Sequence, residues 1–246
     1  MKSSLHGTAA NDYRTSHLTK GADYDEALSR DAFDSYMTTI ERRLLEQLVA
    51  RLFPKGLGTY LDFACGTGRI TEIIEPLARE SWGVDVSPAM LERATRKCSR
   101  TQFRVVDLTR EDCSIPPADL VTAFRFLANA QDELRRAALR AMRDRLKGGG
   151  YLIVNDHRNA WSIRNLLKPE HGPERPDLHY GKLRRMLKDA GFRVRRTYGV
   201  GFWYVRYRLN APEVVRSGVV RMIEPLSRIR PMAFFCPDMV VVAQRM

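Results

Sequence analysis

The run Asp62-Phe63-Ala64-Cys65-Gly66-Thr67-Gly68-Arg69 joins a carboxylate to two closely spaced glycines. Glycine adopts backbone angles closed to other residues and lets a ligand approach the main chain, so such a run can wrap a small cofactor. The third glycine that a dinucleotide loop wants near Thr71 is absent, and phosphate binding is therefore not demanded. Asp85 follows Gly68, and Asp107 follows Asp85 at a similar interval. One such carboxylate can accept from both hydroxyls of a ribose, and the other from the exocyclic amine of adenine. Each acid alone suits a helix cap or a solvated turn equally well, and the glycine pair alone suits a tight turn. Taken together they outline a site for a nucleoside cofactor.

The elements that must position these residues alternate along the chain. Apolar residues at helical spacing predict a helix from Asp31 to Leu52, ended by Pro54 and Gly56. Strands are predicted over 59–64, 81–85, 103–108, 119–124, 148–156, 192–198 and 238–245. Helices are predicted over 69–79, 87–98, 132–146 and 178–190, with Ser87 as N-cap and Pro88 at the first helical position. Strands alternating with helices imply an open, mostly parallel α/β sheet covered on both faces. Ligands bind such sheets outside the carboxyl ends of the strands. The loops after Ala64, Asp85, Asp107, Phe124 and Asn155 are thus expected to line the site.

With those loops in place, LDFACGTGR (61–69), GVDVSPAML (83–91), FRVVDL (103–108), DLVTAFRFL (119–127) and LKGGGYLIVND (146–156) resemble the class I S-adenosylmethionine-dependent methyltransferases. The likeness covers roughly residues 57–198, and 239–245 is similar to the family's closing antiparallel strand. The resemblance implies a Rossmann-like doubly wound sheet and S-adenosylmethionine as cofactor, without a metal. It implies that Ala64, Gly66 and Gly68 wrap the methionine part and that Asp62 reaches its ammonium, directly or through water. It further implies that Asp85 holds the ribose, that Val86 and Met90 flank the adenine, and that Asp107 binds its amine, with Leu108 and Phe124 completing the cofactor site. Ala64 departs from the family's frequent glycine. Residues 1–56 read as a mobile tail and an N-terminal helical lid, in which Tyr24, Tyr36 and Arg42 are expected over the cofactor. Residues 57–246 read as the methyltransferase domain, with a cap insertion at about 201–237.

The methyl acceptor must be sought in the other loops. The run Phe124-Arg125-Phe126-Leu127-Ala128-Asn129 lacks the polar-Pro-Pro-aromatic signature of enzymes acting on exocyclic base amines, and it holds no cysteine for pyrimidine C5 chemistry. Two nucleic-acid classes are disfavoured, whereas ribose O-methylation stays open. A hydroxyl acceptor needs a base; an amine only has to arrive neutral. His157, at the end of a strand, is the leading base candidate, with Asp156 orienting it or acting itself. His171 and His179 fall in a proline-rich stretch read as a mobile loop. Arg125, Asn129 and Arg158 are candidate acceptor contacts.

Composition narrows the class. The chain has 246 residues and a formal net charge of +12. Residues 157–246 contain 18 basic and 7 acidic side chains, a net of +11, so nearly the whole excess lies in the last third. Arginine forks there suit carboxylate or phosphate, and the excess fits a solvated surface or an anionic small-molecule acceptor. RNA and an anionic membrane surface fit the same charge. Four scattered cysteines without CxxC pairs read as reduced thiols of a cytoplasmic protein, and the chain shows no membrane-spanning run. The functional expectation is methyl transfer to a hydroxyl of a small or medium-sized metabolite, such as a natural product, sugar or lipid-linked glycan. The alternatives are an RNA methyltransferase and a non-catalytic cofactor-binding subunit.

Overall fold

A computed structural model describes residues 32–157, 159–167, 177–201 and 218–246. Helix α1 (Ala32–Leu52) precedes strand β1 (Leu57–Phe63). There follow α2 (Thr71–Ile74), a 3₁₀ turn (Glu75–Leu77), β2 (Ala78–Asp85), α3 (Pro88–Lys97), β3 (Thr101–Val105) and β4 (Ala118–Ala123). The second half holds α4 (Asp132–Arg145), β5 (Leu146–Asp156), α5 (Ile163–Leu167), α6 (Tyr180–Asp189) and β6 (Phe192–Val200). Helix α7 (Gly218–Ile223), two 3₁₀ turns (Glu224–Arg228 and Met232–Phe235) and β7 (Asp238–Arg245) close the chain.

The seven strands form one sheet in the order β3-β2-β1-β4-β5-β7-β6. Strands β1 to β5 pair in parallel, and β7 runs antiparallel to both β5 and β6. This is the expected doubly wound α/β sheet with one antiparallel hairpin at its edge.

Side chains alternate across the sheet because the strand period is two. Leu61, Leu152, Val154, Val241 and Ala243 pack with α4 and α6 on one face. Tyr60, Leu120, Ile153, Val240 and Val242 pack with α1 and α2 on the other. Both faces being covered explains why the strands read as nearly continuous apolar runs.

Ser87 caps α3, its hydroxyl accepting from Met90 N, with Pro88 at the first helical position. The helix expected over 69–79 is cut to Thr71–Ile74 plus a 3₁₀ turn, and β2 starts at Ala78. Pro76 explains this, since it offers no N–H to the carbonyl four residues back and its ring crowds that turn. His179, expected in a mobile loop, is instead the N-cap of α6, accepting from Lys182 N at 3.3 Å. It also stacks on Trp161 with ring centroids 4.3 Å apart. Tyr24, Arg158, His171 and residues 202–217 lie outside the described residues, as does the Tyr36 side chain.

Candidate functional site

The parallel strands β1, β2 and β4 end on one side of the sheet, where their loops surround a pocket of about 1050 Å³, counting the solvent at its mouth. Three of the seven residues after β1 make the floor tight. Ala64, Gly66 and Gly68 have φ of 54°, 55° and 80°. A side chain on Gly66 would point into open space, whereas one on Gly68 would meet the Ala94 backbone at 3.2 Å. Gly68 thus lets the loop sit against α3, and Gly66 keeps the cavity open. Ala64 holds a left-handed conformation that suits glycine, at a cost of roughly 1–2 kcal/mol.

Strand ends carry the acids. Asp85 accepts from Gly66 N through Oδ2 at 2.8 Å and from Ser87 N through Oδ1 at 2.9 Å. It therefore fastens the first loop to the second, with a carboxylate of the kind that accepts from ligand hydroxyls. Asp107 accepts through Oδ1 from Thr109 N at 3.0 Å and from the Thr109 hydroxyl at 2.6 Å, forming its own turn.

Asp62 sits deeper. Its register partner on β4 is Thr122, whose hydroxyl donates to Oδ1 at 2.7 Å, while the Thr71 hydroxyl donates to Oδ2 at 2.6 Å. Tyr60 lies two residues back on the same face and meets the Thr122 hydroxyl at 2.7 Å. Burial raises the Asp62 carboxyl from 3.8 to about 6, against the lowering effect of the two threonine hydroxyls and the Arg69 charge.

The cofactor candidates Asp62, Ala64, Gly66, Asp85, Val86, Met90, Asp107, Leu108 and Phe124 all line this pocket, as does Arg125. Gly68 stands behind the lining, in the packing role just described. Val86, Met90 and Leu108 supply the apolar surface that a base would need. Polar groups for a ribose, a buried carboxylate for an ammonium and an open glycine face together fit a nucleoside with an amino-acid tail.

Other candidates are placed differently. Asn129 does not line the pocket; its side-chain amide donates to Arg125 O at 2.6 Å and closes the loop after β4. Arg125 has a left-handed backbone, φ 55°, and its N–H donates to Asn155 Oδ1 at 2.5 Å. Neither Asp156 nor His157 lines the cofactor pocket. Asp156 is fully buried, and neither carboxylate oxygen has a hydrogen-bond partner among the described residues. Burial, reinforced by nearby Asp238, pushes its pKa well above the ordinary carboxylate range. Asp156 therefore does not orient His157. The His157 Nδ1 partner is Asp238, on β7, at 3.0 Å from both carboxylate oxygens.

Several residues at the site carried no sequence signal. Glu41, on α1 and 1% exposed, accepts from Arg69 Nη1 at 2.5 Å and from the Asn155 amide at 3.5 Å. Arg42, expected over the cofactor, instead approaches Glu72 at 3.9 Å on the surface. Arg135, nearly buried, donates to Leu127 O at 2.7 Å and holds Asp177 with two bonds, bracing the loop after β4. No three His, Cys, Asp or Glu side chains are placed to hold a metal among the described residues. No described helix is long and apolar enough to cross a membrane.

A family model described as a methyltransferase domain matches residues 34–197. The chain belongs to that methyltransferase family. The cofactor of this family is S-adenosylmethionine, to which the pocket's lining corresponds. A putative methyltransferase of Bacillus subtilis strain 168 is 35% identical over 79 residues. That match spans 32% of this methyltransferase and 28% of the relative's own length. The fold is similar to that of magnesium protoporphyrin IX methyltransferase from Synechocystis PCC 6803 with bound S-adenosylhomocysteine. That pair has a TM-score of 0.64 at 17% identity, covering 95% of this chain and 98% of that one. An amino pentose methyltransferase from Micromonospora echinaspora, with bound S-adenosylmethionine, gives 0.58 at 17% identity over 91% and 97%.

Proposed function

We propose that this methyltransferase methylates a hydroxyl of a small or medium-sized anionic metabolite, with a natural product, sugar or lipid-linked glycan as the chemical class. Asp85 holds the cofactor ribose, Asp107 the adenine amine and Asp62 the methionine ammonium, with Gly66 leaving room for the chain between them. The cofactor, when bound, supplies a methyl already activated on a sulfonium. The protein's remaining work is to align the acceptor, keep water out and receive a proton.

The observation that carries the hydroxyl reading is the His157–Asp238 pair. The His157 side chain is 22% exposed and that of Asp238 is 3% exposed. A carboxylate facing Nδ1 favours the tautomer with the proton on that nitrogen, which leaves the Nε2 lone pair as the base. As the acceptor oxygen gains the methyl, its proton passes to Nε2, and Asp238 stabilises the imidazolium. An amine acceptor depends less on such a pair, since it only has to arrive neutral. Arg125, at the pocket wall, would meet a phosphate or carboxylate on the substrate in this reading.

Calorimetric titration of S-adenosylmethionine into the wild type and Asp85→Ala tests the cofactor half. Two charge-assisted hydrogen bonds are lost, so affinity is expected to fall about 100-fold or more. A panel of phosphorylated and carboxylated alcohols then tests the acceptor half. His157→Gln is expected to lower kcat about 100-fold or more while cofactor affinity is kept. Asp238→Asn removes the carboxylate that faces Nδ1 and should lower kcat while cofactor affinity is kept. Full turnover in His157→Gln would refute the base assignment.

A further inference from the structure

Residues 218–237 cover β6, and several of their large apolar side chains face outward. The inward side carries the polar groups: the Glu224 carboxylate accepts from Gly201 N at 3.0 Å and from the Ser227 hydroxyl at 3.1 Å. Ser227, Ala233 and Cys236 are buried beside β6, where Gly199 approaches all three closely enough to exclude a side chain. The outward side is apolar. Met222 is 80% and Ile229 53% exposed, and Leu226, Met232 and Phe235 are exposed with them.

The charges on this outward side have one sign. Arg228 and Arg230 are exposed among the apolar residues. The segment's one acid, Glu224, is only 8% exposed and is turned inward. We infer that this face rests on an anionic lipid bilayer. Aliphatic side chains enter the boundary between headgroups and acyl chains, while guanidinium groups stay with the phosphates, and both are needed for firm interfacial binding.

Charge complementarity selects this occupant over others. A symmetric contact with a second copy would bring this face onto itself, setting arginines near arginines while the segment's one acid, Glu224, is turned inward. Nucleic acid is met by aromatic stacking platforms, whereas most of the outward residues here are aliphatic. The net +11 of residues 157–246 draws the same end of the chain toward an anionic surface. The inference stands on this surface and not on the acceptor assignment.

The test is sedimentation of the untagged, full-length protein with vesicles of phosphatidylcholine, and with vesicles of phosphatidylcholine and phosphatidylglycerol in equal parts. Binding is expected to the anionic vesicles only and to weaken as salt rises. Replacing both Arg228→Ser and Arg230→Ser should weaken partitioning about 25-fold, at roughly five-fold per arginine. Ile229→Ser with Met232→Ser leaves the charge unchanged and should weaken it about ten-fold or more. All four positions are exposed, so thermal melts are expected to match the wild type. Absence of binding to anionic vesicles overturns the proposal. So does binding that the apolar pair leaves unchanged, which would be general adsorption of a basic protein. A concentration-dependent dimer abolished by the apolar pair, without vesicle binding, overturns it in favour of a self-interface.

Discussion

Because the Asp62 carboxyl is buried with its pKa raised to about 6, cofactor affinity should depend on pH. An ammonium beside Asp62 requires the ionised form, so the protein must release a proton before it binds. The apparent dissociation constant then scales as one plus ten raised to the difference between pKa and pH. Between pH 7 and pH 5 that factor rises about ten-fold. The stability linkage has the opposite sense. A carboxyl raised from 3.8 holds its proton more tightly folded than unfolded. Stability therefore falls by about 3 kcal/mol as pH rises from below 4 to above 6. Asp156 is raised in the same direction and would obscure this in a melt, which makes binding the cleaner readout. The assay is calorimetric titration of S-adenosylhomocysteine from pH 5 to 8, on wild type and Asp62→Asn. The wild type should lose about ten-fold in affinity toward pH 5. The variant should bind weakly at every pH with a flatter profile, because the titrating group is gone while Asp85, Arg69 and the rest remain. A flat wild-type profile, or the same slope in Asp62→Asn, would refute the assignment of Asp62 to the ammonium.

Two further outcomes follow from the loops. Asn155→Ala removes the acceptor for Arg125 N and a donor to Glu41, leaving a strained backbone without its tie. Urea unfolding should show a loss of about 1–3 kcal/mol, and cofactor affinity should fall with it, since Arg125 lines the pocket. Arg135→Ala frees the carbonyls of Leu127 and Ala128 and should cost about 2 kcal/mol by the same measurement, the partly exposed Asp177 adding little. Asp177 is held below the ordinary carboxylate range mainly by its hydrogen bond from Arg135. Its stabilising contribution is present above about pH 4 and disappears as pH falls, and this part of the acid-side stability profile should be reduced in the variant, where Lys182 alone still holds Asp177.

What was legible in the sequence is what the backbone itself encodes. Glycines at 66 and 68, acids at strand ends and the strand–helix alternation are local signals, and each sits where the sheet order and period require it. The difference at 69–79 is local too, since Pro76 stands within the run and ends the helix there. The side chains that hold the loops to one another left no local trace. Glu41 lies 28 residues from Arg69 and 114 from Asn155, on a helix whose sequence reads only as amphipathic. Asp238 lies 81 residues from His157 and reaches it because β7 inserts between β5 and β6. Asp156 is adjacent to His157 in sequence but not its partner. Successive strand residues point to opposite faces, so a neighbour along β5 is directed away from its neighbour while a residue across the ladder is directed toward it. The same alternation shows how the site is held together. Asn155 shares its face with Ile153 and α1, which lets one amide side chain reach both Glu41 and the Arg125 backbone. Glu41 in turn reaches Arg69 in the first loop. Two pocket loops, each containing a non-glycine residue in the left-handed region, are thereby tied to α1 through one buried carboxylate.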